Sequence, residues 1–158
     1  MNSIYRFSPI TTKKSLLEAI QYIASKSTEL CKKITGKEYP ISGLTVFSHY
    51  PEEFETLKKF LLELGERESE HNGLYVKLRK PINLPNNKLS LLRVRVPDPY
   101  RLHVGCNDFE VPSYDKFKNR YLKQKPDNLR LITRLEYEMI EFFDPDFDIL
   151  AYVVSQGK

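Results

Sequence analysis

Residues 41–65 read I-S-G-L-T-V-F-S-H-Y-P-E-E-F-E-T-L-K-K-F-L-L-E-L-G, a short alternating run that turns directly into an amphipathic helix. The alternation over residues 41–49, rich in β-branched and aromatic types, predicts a strand. Pro51 stands where the first helical turn accepts proline, because no intrahelical hydrogen bond is lost there. Behind it Phe54, Leu57, Phe60, Leu61 and Leu64 recur at helical spacing, with Glu52 and Glu53 early and Gly65 at the end. Three more strands are expected downstream: residues 66–71, then G-L-Y-V-K-L-R-K-P at 73–81, then K-L-S-L-L-R-V-R-V-P at 88–97. Asn72-Gly73 and Pro85-Asn86-Asn87 separate them, and Asn-Gly is a strong hairpin signal. Residues 41–97 therefore form a β-α-β-β-β unit.

Further along, the same order returns. L-H-V-G-C-N-D-F-E-V at 102–111 is strand-like, and residues 113–123 carry Tyr114, Phe117, Tyr121 and Leu122 at helical spacing. N-L-R-L-I-T-R at 128–134, Y-E-M-I-E-F-F at 137–143 and D-I-L-A-Y-V-V at 148–154 complete a second unit over residues 101–155. Upstream, Leu16, Leu17, Ile20, Ile23, Ala24, Leu30, Cys31 and Ile34 predict a helix over residues 11–35, capped by Thr11 or Thr12 and ended by Gly36. The expected fold class is α+β: two tandem β-α-β-β-β modules forming a cupped mixed sheet, with an extra N-terminal helix, in a single domain over residues 1–158.

Composition narrows the function classes. The chain has 158 residues, 41% hydrophobic and 29% charged, which suits a globular domain rather than a disordered one. Two cysteines, Cys31 and Cys106, are too few for a secreted disulfide framework and show no metal-ligand spacing. No apolar run approaches the roughly 20 residues of a membrane span, and the N-terminus has no signal-peptide core. A cytoplasmic protein with no membrane partner is expected. Twenty-five basic against 21 acidic side chains give a net charge of +4, mildly basic only.

Three strings carry a resemblance. I-S-G-L-T-V-F-S-H-Y-P-E-E at 41–53, F-E-V-P-S-Y-D-K-F at 109–117 and F-F-D-P-D-F-D-I-L-A-Y at 142–152 occur in order across the two modules. Together they resemble the vicinal oxygen chelate superfamily, which includes glyoxalase I, extradiol dioxygenases and bleomycin-resistance proteins. The N-terminal helix, L-G-E-R-E-S-E-H-N-G at 64–73 and K-P-I at 80–82 also resemble the uncharacterised YecM-type proteins.

In metal-using members of the superfamily, strands one, five and eight supply the ligands. The resemblance places those positions on Gly43, near Cys106, and on Ala151. Glycine and alanine have no donor atom, so no cofactor is expected. The alternative is a divalent metal (zinc, iron, manganese or nickel) held by His49, His103 and Glu110, a facial triad serving a lyase, isomerase or dioxygenase. His71, beside Asn72-Gly73, reads as turn surface. Cys106 could be a pocket nucleophile, but no base or Cys-x-x-Cys pattern accompanies it, and a buried small hydrophobe is the simpler reading. D-P-D-F-D at 144–148 starts like a calcium loop, yet its sixth and twelfth positions hold Ile149 and Ser155, so a hairpin turn is expected.

The strongest functional lead is a recurrence of basic residues. If Val76 and Leu78 face the helices, Tyr75, Lys77 and Arg79 face the other way. Arg93 and Arg95 alternate with Leu92, Val94 and Val96, while Arg101 and His103 lie two apart; Arg130 and Arg134 stand on the sixth strand. If these share the cup, Lys77, Arg79, Arg93, Arg95, Arg101, His103 and Cys106 form a site for a small anionic molecule. The opposing reading is a solvated edge paired with Glu136, Glu138 and Glu141. Nucleic acid is not an expected partner: D-K-F-K-N-R-Y-L-K-Q-K at 115–125 serves as the solvated face of a helix, and no recognised motif accompanies it. A homodimer is a further expectation, since superfamily members often pair modules across subunits. A third alternative is an interaction protein that docks through its N-terminal helix.

Overall fold

The alternating run becomes β1 (Ile41–Phe47), and the proline-led stripe becomes α2 (Pro51–Leu64). The computed structural model describes residues 4–155. Around those two elements lie α1 (Lys13–Thr35), β2 (Gly65–Glu70), β3 (Gly73–Asn83), β4 (Lys88–Arg95), β5 (Gly105–Phe109), α3 (Tyr114–Tyr121), β6 (Leu129–Thr133), β7 (Glu138–Phe142) and β8 (Ile149–Val154). All eight strands form one mixed sheet in the order β2-β3-β4-β1-β5-β8-β7-β6. Within each module the first strand pairs in parallel with the last, β1 with β4 and β5 with β8. The modules join at the centre through antiparallel β1 and β5, with Thr45 opposite Cys106. Both modules of the α+β fold thus contribute to one continuous sheet within one chain.

One face of this sheet carries the helices and the main core. α2 packs over β2, β3 and β4, whereas α1 crosses the centre over β1, β5 and β8. Thr12 caps α1 by accepting the Ser15 N–H at 3.0 Å, and Gly36 ends it in the left-handed region at φ 77°. Its stripe, from Leu16 through Ile20, Ile23 and Leu30 to Ile34, is buried in the same core as Leu44, Val46, Ala151 and Val153. The closest approach is at Gly105, where a Cβ would overlap the Thr45 carbonyl oxygen and lie 2.5 Å from Ile23 Cδ1. The apolar face of the N-terminal helix is therefore occupied by the core over the sheet.

The D-P-D-F-D turn fastens α1 to the last hairpin. Asp144 accepts from Lys33 Nζ at 2.7 Å, an ammonium contact that holds its carboxyl below the usual range. Asp148 accepts from Arg6 Nε at 2.8 Å and from the Tyr22 hydroxyl at 2.6 Å. These carboxylates serve as clamps for the N-terminal helix and its leading segment. Among the described residues, no helix is long and apolar enough to cross a membrane.

Candidate anion site in the sheet cup

Strand alternation sends every second side chain to the face opposite the helices, where the curled sheet encloses a cavity of about 1140 Å3. Gly43, Thr45 and Phe47 line it from β1, Leu91, Arg93 and Arg95 from β4, and Cys106 and Asp108 from β5. Arg130 of β6, Arg134 just past its end, Glu141 of β7 and Tyr152 of β8 face it from the second module, with Arg101 at the rim. Residues in register form rows across the sheet. One runs Tyr75, Arg93, Thr45, Cys106 and Leu150. A second runs Gly43, Asp108, Tyr152, Glu141 and Arg130.

The first-module wall is cationic and incompletely satisfied. Arg95 has a side chain only 14% exposed, and its Nη2 reaches no carboxylate closer than Asp98 at 3.9 Å. That Nη2 is buried without a hydrogen bond, as is the Nε of Arg93. The Arg95 guanidinium lies 3.5 Å over the Phe47 ring centroid, and Arg93 donates to the Tyr75 hydroxyl at 2.6 Å. Burial lowers the pKa of Arg95 from its ordinary value, yet an arginine remains charged at neutral pH. Stacking and one phenol fix the two guanidiniums in place without neutralising them.

The second-module wall is different. Glu141, 3% exposed, takes Arg130 Nε at 2.6 Å and the Tyr152 hydroxyl at 2.8 Å, a closed network. The expected pairing of arginines with acids is realised here, at Arg130, and not at Arg93. Between the walls Asp108 stands half-buried, and burial pushes its carboxyl up to about 6, with Arg93 pulling against it. Cys106 packs with Phe47 and Leu150 on the cup floor, and burial pushes its thiol up to about 12. It is a protonated wall residue, not an activated nucleophile.

The structure separates the remaining expected residues. Lys77 and Arg79 share the face of Tyr75 but lie beyond the cup; Arg79 donates to the Glu63 carbonyl at the end of α2, at 3.1 Å. They leave the anion site for that reason. His103 sits behind the rim with its Nδ1 buried and unpartnered, and burial lowers its pKa. His49 is not in the cup at all. Its Nε2–H donates to the His103 carbonyl at 3.1 Å, so its Nδ1 accepts from the Ser8 hydroxyl at 2.6 Å. Tyr5 stacks on the ring at 3.9 Å, and burial keeps the imidazole neutral by lowering its pKa. Glu110 is exposed past the far end of β5. His103 and Glu110 are seven residues apart along that strand, roughly 20 Å. The proposed triad of His49, His103 and Glu110 cannot hold one ion.

A second correction concerns Ala151. It shares its face with Ile149 and Val153, in the core under α1, and it pairs with Asn107 and Phe142. The cup positions of β8 are Leu150 and Tyr152. A slip of one residue exchanges the two faces of a strand, so the position that the resemblance gives to Ala151 lies in the core and not in the cup. Gly43 does face the cup, as expected, beside Asp108. Glycine, a protonated cysteine, and leucine or a hydrogen-bonded tyrosine are not a donor set for a divalent ion. Among the described residues, no three His, Cys, Asp or Glu side chains gather to hold a metal.

Asp108 joins the site as a residue whose sequence signal is local. It follows Cys106 by two residues and therefore shares its strand face. Glu141 is named in the sequence only as a partner for basic residues, and Tyr152 carries no signal, since its pairing depends on which strands become neighbours.

No family model matches the sequence, and no curated protein matches it. Two solved structures are similar in fold. One, described as "Structural Genomics, Protein EC4020", superposes with a TM-score of 0.70 over 98% of this chain and 92% of that chain, at 13% identity. The other is a glyoxalase/bleomycin resistance protein/dioxygenase superfamily member from Vibrio splendidus 12B01, with a TM-score of 0.47 over 75% of this chain and 99% of that chain, at 11% identity. The first likeness extends along nearly the whole chain, so the N-terminal helix belongs to the shared fold together with the two modules.

Proposed function

We propose that this chain is a vicinal-oxygen-chelate-like protein that binds a small organic anion in its cup without a metal, in the cytoplasm. The observation that carries the reading is the pair Arg93 and Arg95, two guanidiniums on one buried wall with donor groups that no protein acceptor meets. A buried donor left unpaired costs about 1–3 kcal/mol, more if charged. A carboxylate or phosphate arriving between the arginines would recover that cost through charge-assisted bonds. The cup is roomy enough for a metabolite, and Phe47, Leu91, Ile132 and Met139 give it apolar wall for the rest of the molecule. Both cysteines are free, as suits a reducing compartment.

The test is thermal stabilisation by a series of organic carboxylates and phosphates. Stabilisation of the native chain is expected, with loss of at least about 1.4 kcal/mol of binding, tenfold in affinity, in Arg95→Leu. Equal stabilisation of Arg95→Leu, or none of the native chain by any anion, would overturn the proposal.

A further inference from the structure

Beyond its cationic wall, the cup contains a carboxyl group that no protein donor satisfies. Asp108 lies on β5 and Arg93 on β4, the two strands that flank β1, so their backbones are about 10 Å apart. Among the described residues, no ion pair or hydrogen bond joins the Asp108 carboxyl to any donor. The gap between them is kept open by Gly43. A Cβ there would meet Leu91 Cδ2 at 3.6 Å, and Asp108 Oδ2 and the Leu91 carbonyl oxygen at 3.9 Å, all ordinary contacts. Glycine at this place is not demanded by backbone packing, and its effect is clear space beside the acid.

We propose that the cup takes a zwitterion, an amino-acid-like molecule whose carboxylate sits on Arg93 and Arg95 and whose ammonium group sits on Asp108. The proposal rests on the anion reading above. A plain anion would satisfy the arginines but bring its charge toward an acid already in the cavity. A zwitterion supplies the acceptor that Arg93 Nε and Arg95 Nη2 lack and brings a cation, not a second anion, to Asp108.

The neighbours of Asp108 agree with this assignment. Arg93 on β4 is the cation it feels, Gly43 on β1 has no charge, and Tyr152 on β8 and Cys106 on its own strand stay protonated. Glu141 and Arg130, further along the row, neutralise each other. Arg134 lines the open side of the cup, and Lys118 of α3 is already paired with Glu138 at 2.7 Å. Among the described residues no lysine or arginine forms an ion pair with the Asp108 carboxyl, which burial holds protonated up to about pH 6.

The experiment compares the natural L-amino acids with their des-amino counterparts, the same acids lacking the α-ammonium group, as ligands for the full chain. Binding is read by calorimetry and thermal stabilisation below and above about pH 6, with Asp108→Asn alongside. At least one amino acid is expected to bind about tenfold more tightly than its des-amino partner above that pH. The preference should fade below it and vanish in Asp108→Asn. Des-amino acids that bind equally or better above that pH would overturn the zwitterion and leave the anion site standing. A preference that survives in Asp108→Asn would remove Asp108 from the site. If neither series binds at any pH, both proposals fall.

Discussion

Asp108 and Arg95 show at the level of single side chains how a binding site weakens the protein that holds it. The Asp108 carboxyl titrates at about 6, above the ordinary aspartate value of 3.8. Its raised pKa means that the folded chain holds a proton the unfolded chain releases. Stability from this group is full below about pH 4 and is lost as pH rises through about 6. Asp108→Asn is therefore expected to raise the melting temperature at neutral and higher pH, by up to about 3 kcal/mol of stability, with no gain below about pH 4. Chemical denaturation across pH measures it, and a destabilised Asp108→Asn at neutral pH would contradict the reading. His49 contributes with the opposite sign. Its imidazole is kept neutral by burial, so its stability is full above the ordinary pKa of 6.5 and is lost as pH falls through its lower folded value. His49→Gln should reduce the acid sensitivity that develops as pH falls below 6.5. None of this environment was legible locally: His49 looks like a strand-end residue until Ser8, Tyr5 and the His103 carbonyl close around it.

At the scale of elements, the period of each segment was legible and its facing was only partly so. Proline, glycine and apolar spacing placed α1, α2 and the strands within a few residues, because those signals are local. Val76 and Leu78 correctly pointed Tyr75 toward the cup, yet Arg79 on the same face turns back to the end of α2. The register of β3 against β4 breaks between Lys77 and Ile82, the stretch that holds Arg79. Ala151 went to the wrong face because a short string can slip by one residue. The role of α1 is a packing fact. It buries Leu16, Ile20, Ile23, Leu30 and Ile34 over β1, β5 and β8, and at roughly 2 kcal/mol each that is about 10 kcal/mol, comparable with the whole stability of a domain. A chain lacking residues 1–36 is expected to lose its cooperative unfolding transition, read by circular dichroism; a folded, cooperative truncation would refute this. Gly105→Ala tests the same contact more gently. It should cost about 1–3 kcal/mol by pressing on the Thr45 carbonyl of β1 and on Ile23 of α1, whereas Gly43→Ala on the cup face should cost well under that.

Across the whole molecule, two modules in one chain divide the work of a single cavity. The first supplies a wall of buried arginines, the second a self-neutralised network of Arg130, Glu141 and Tyr152, and Asp108 stands at the seam. The repeat itself could be read from element order. Which basic residues meet could not, because that depends on the strand order β4-β1-β5-β8, and sequence proximity says nothing of it. Arg93 and Arg95 are held with Nε and Nη2 ready for an acceptor that the protein does not provide. The measurement closest to that claim is a nitrogen–proton NMR titration of the arginine Nε–H signals with the organic anion that stabilises the chain most. The Arg93 and Arg95 signals should shift together and saturate at one dissociation constant, while Arg120, exposed on α3, stays still. Unmoved Arg93 and Arg95 signals, or a uniform drift of all the arginines, would show that the wall is structural and that the cup binds no anion there.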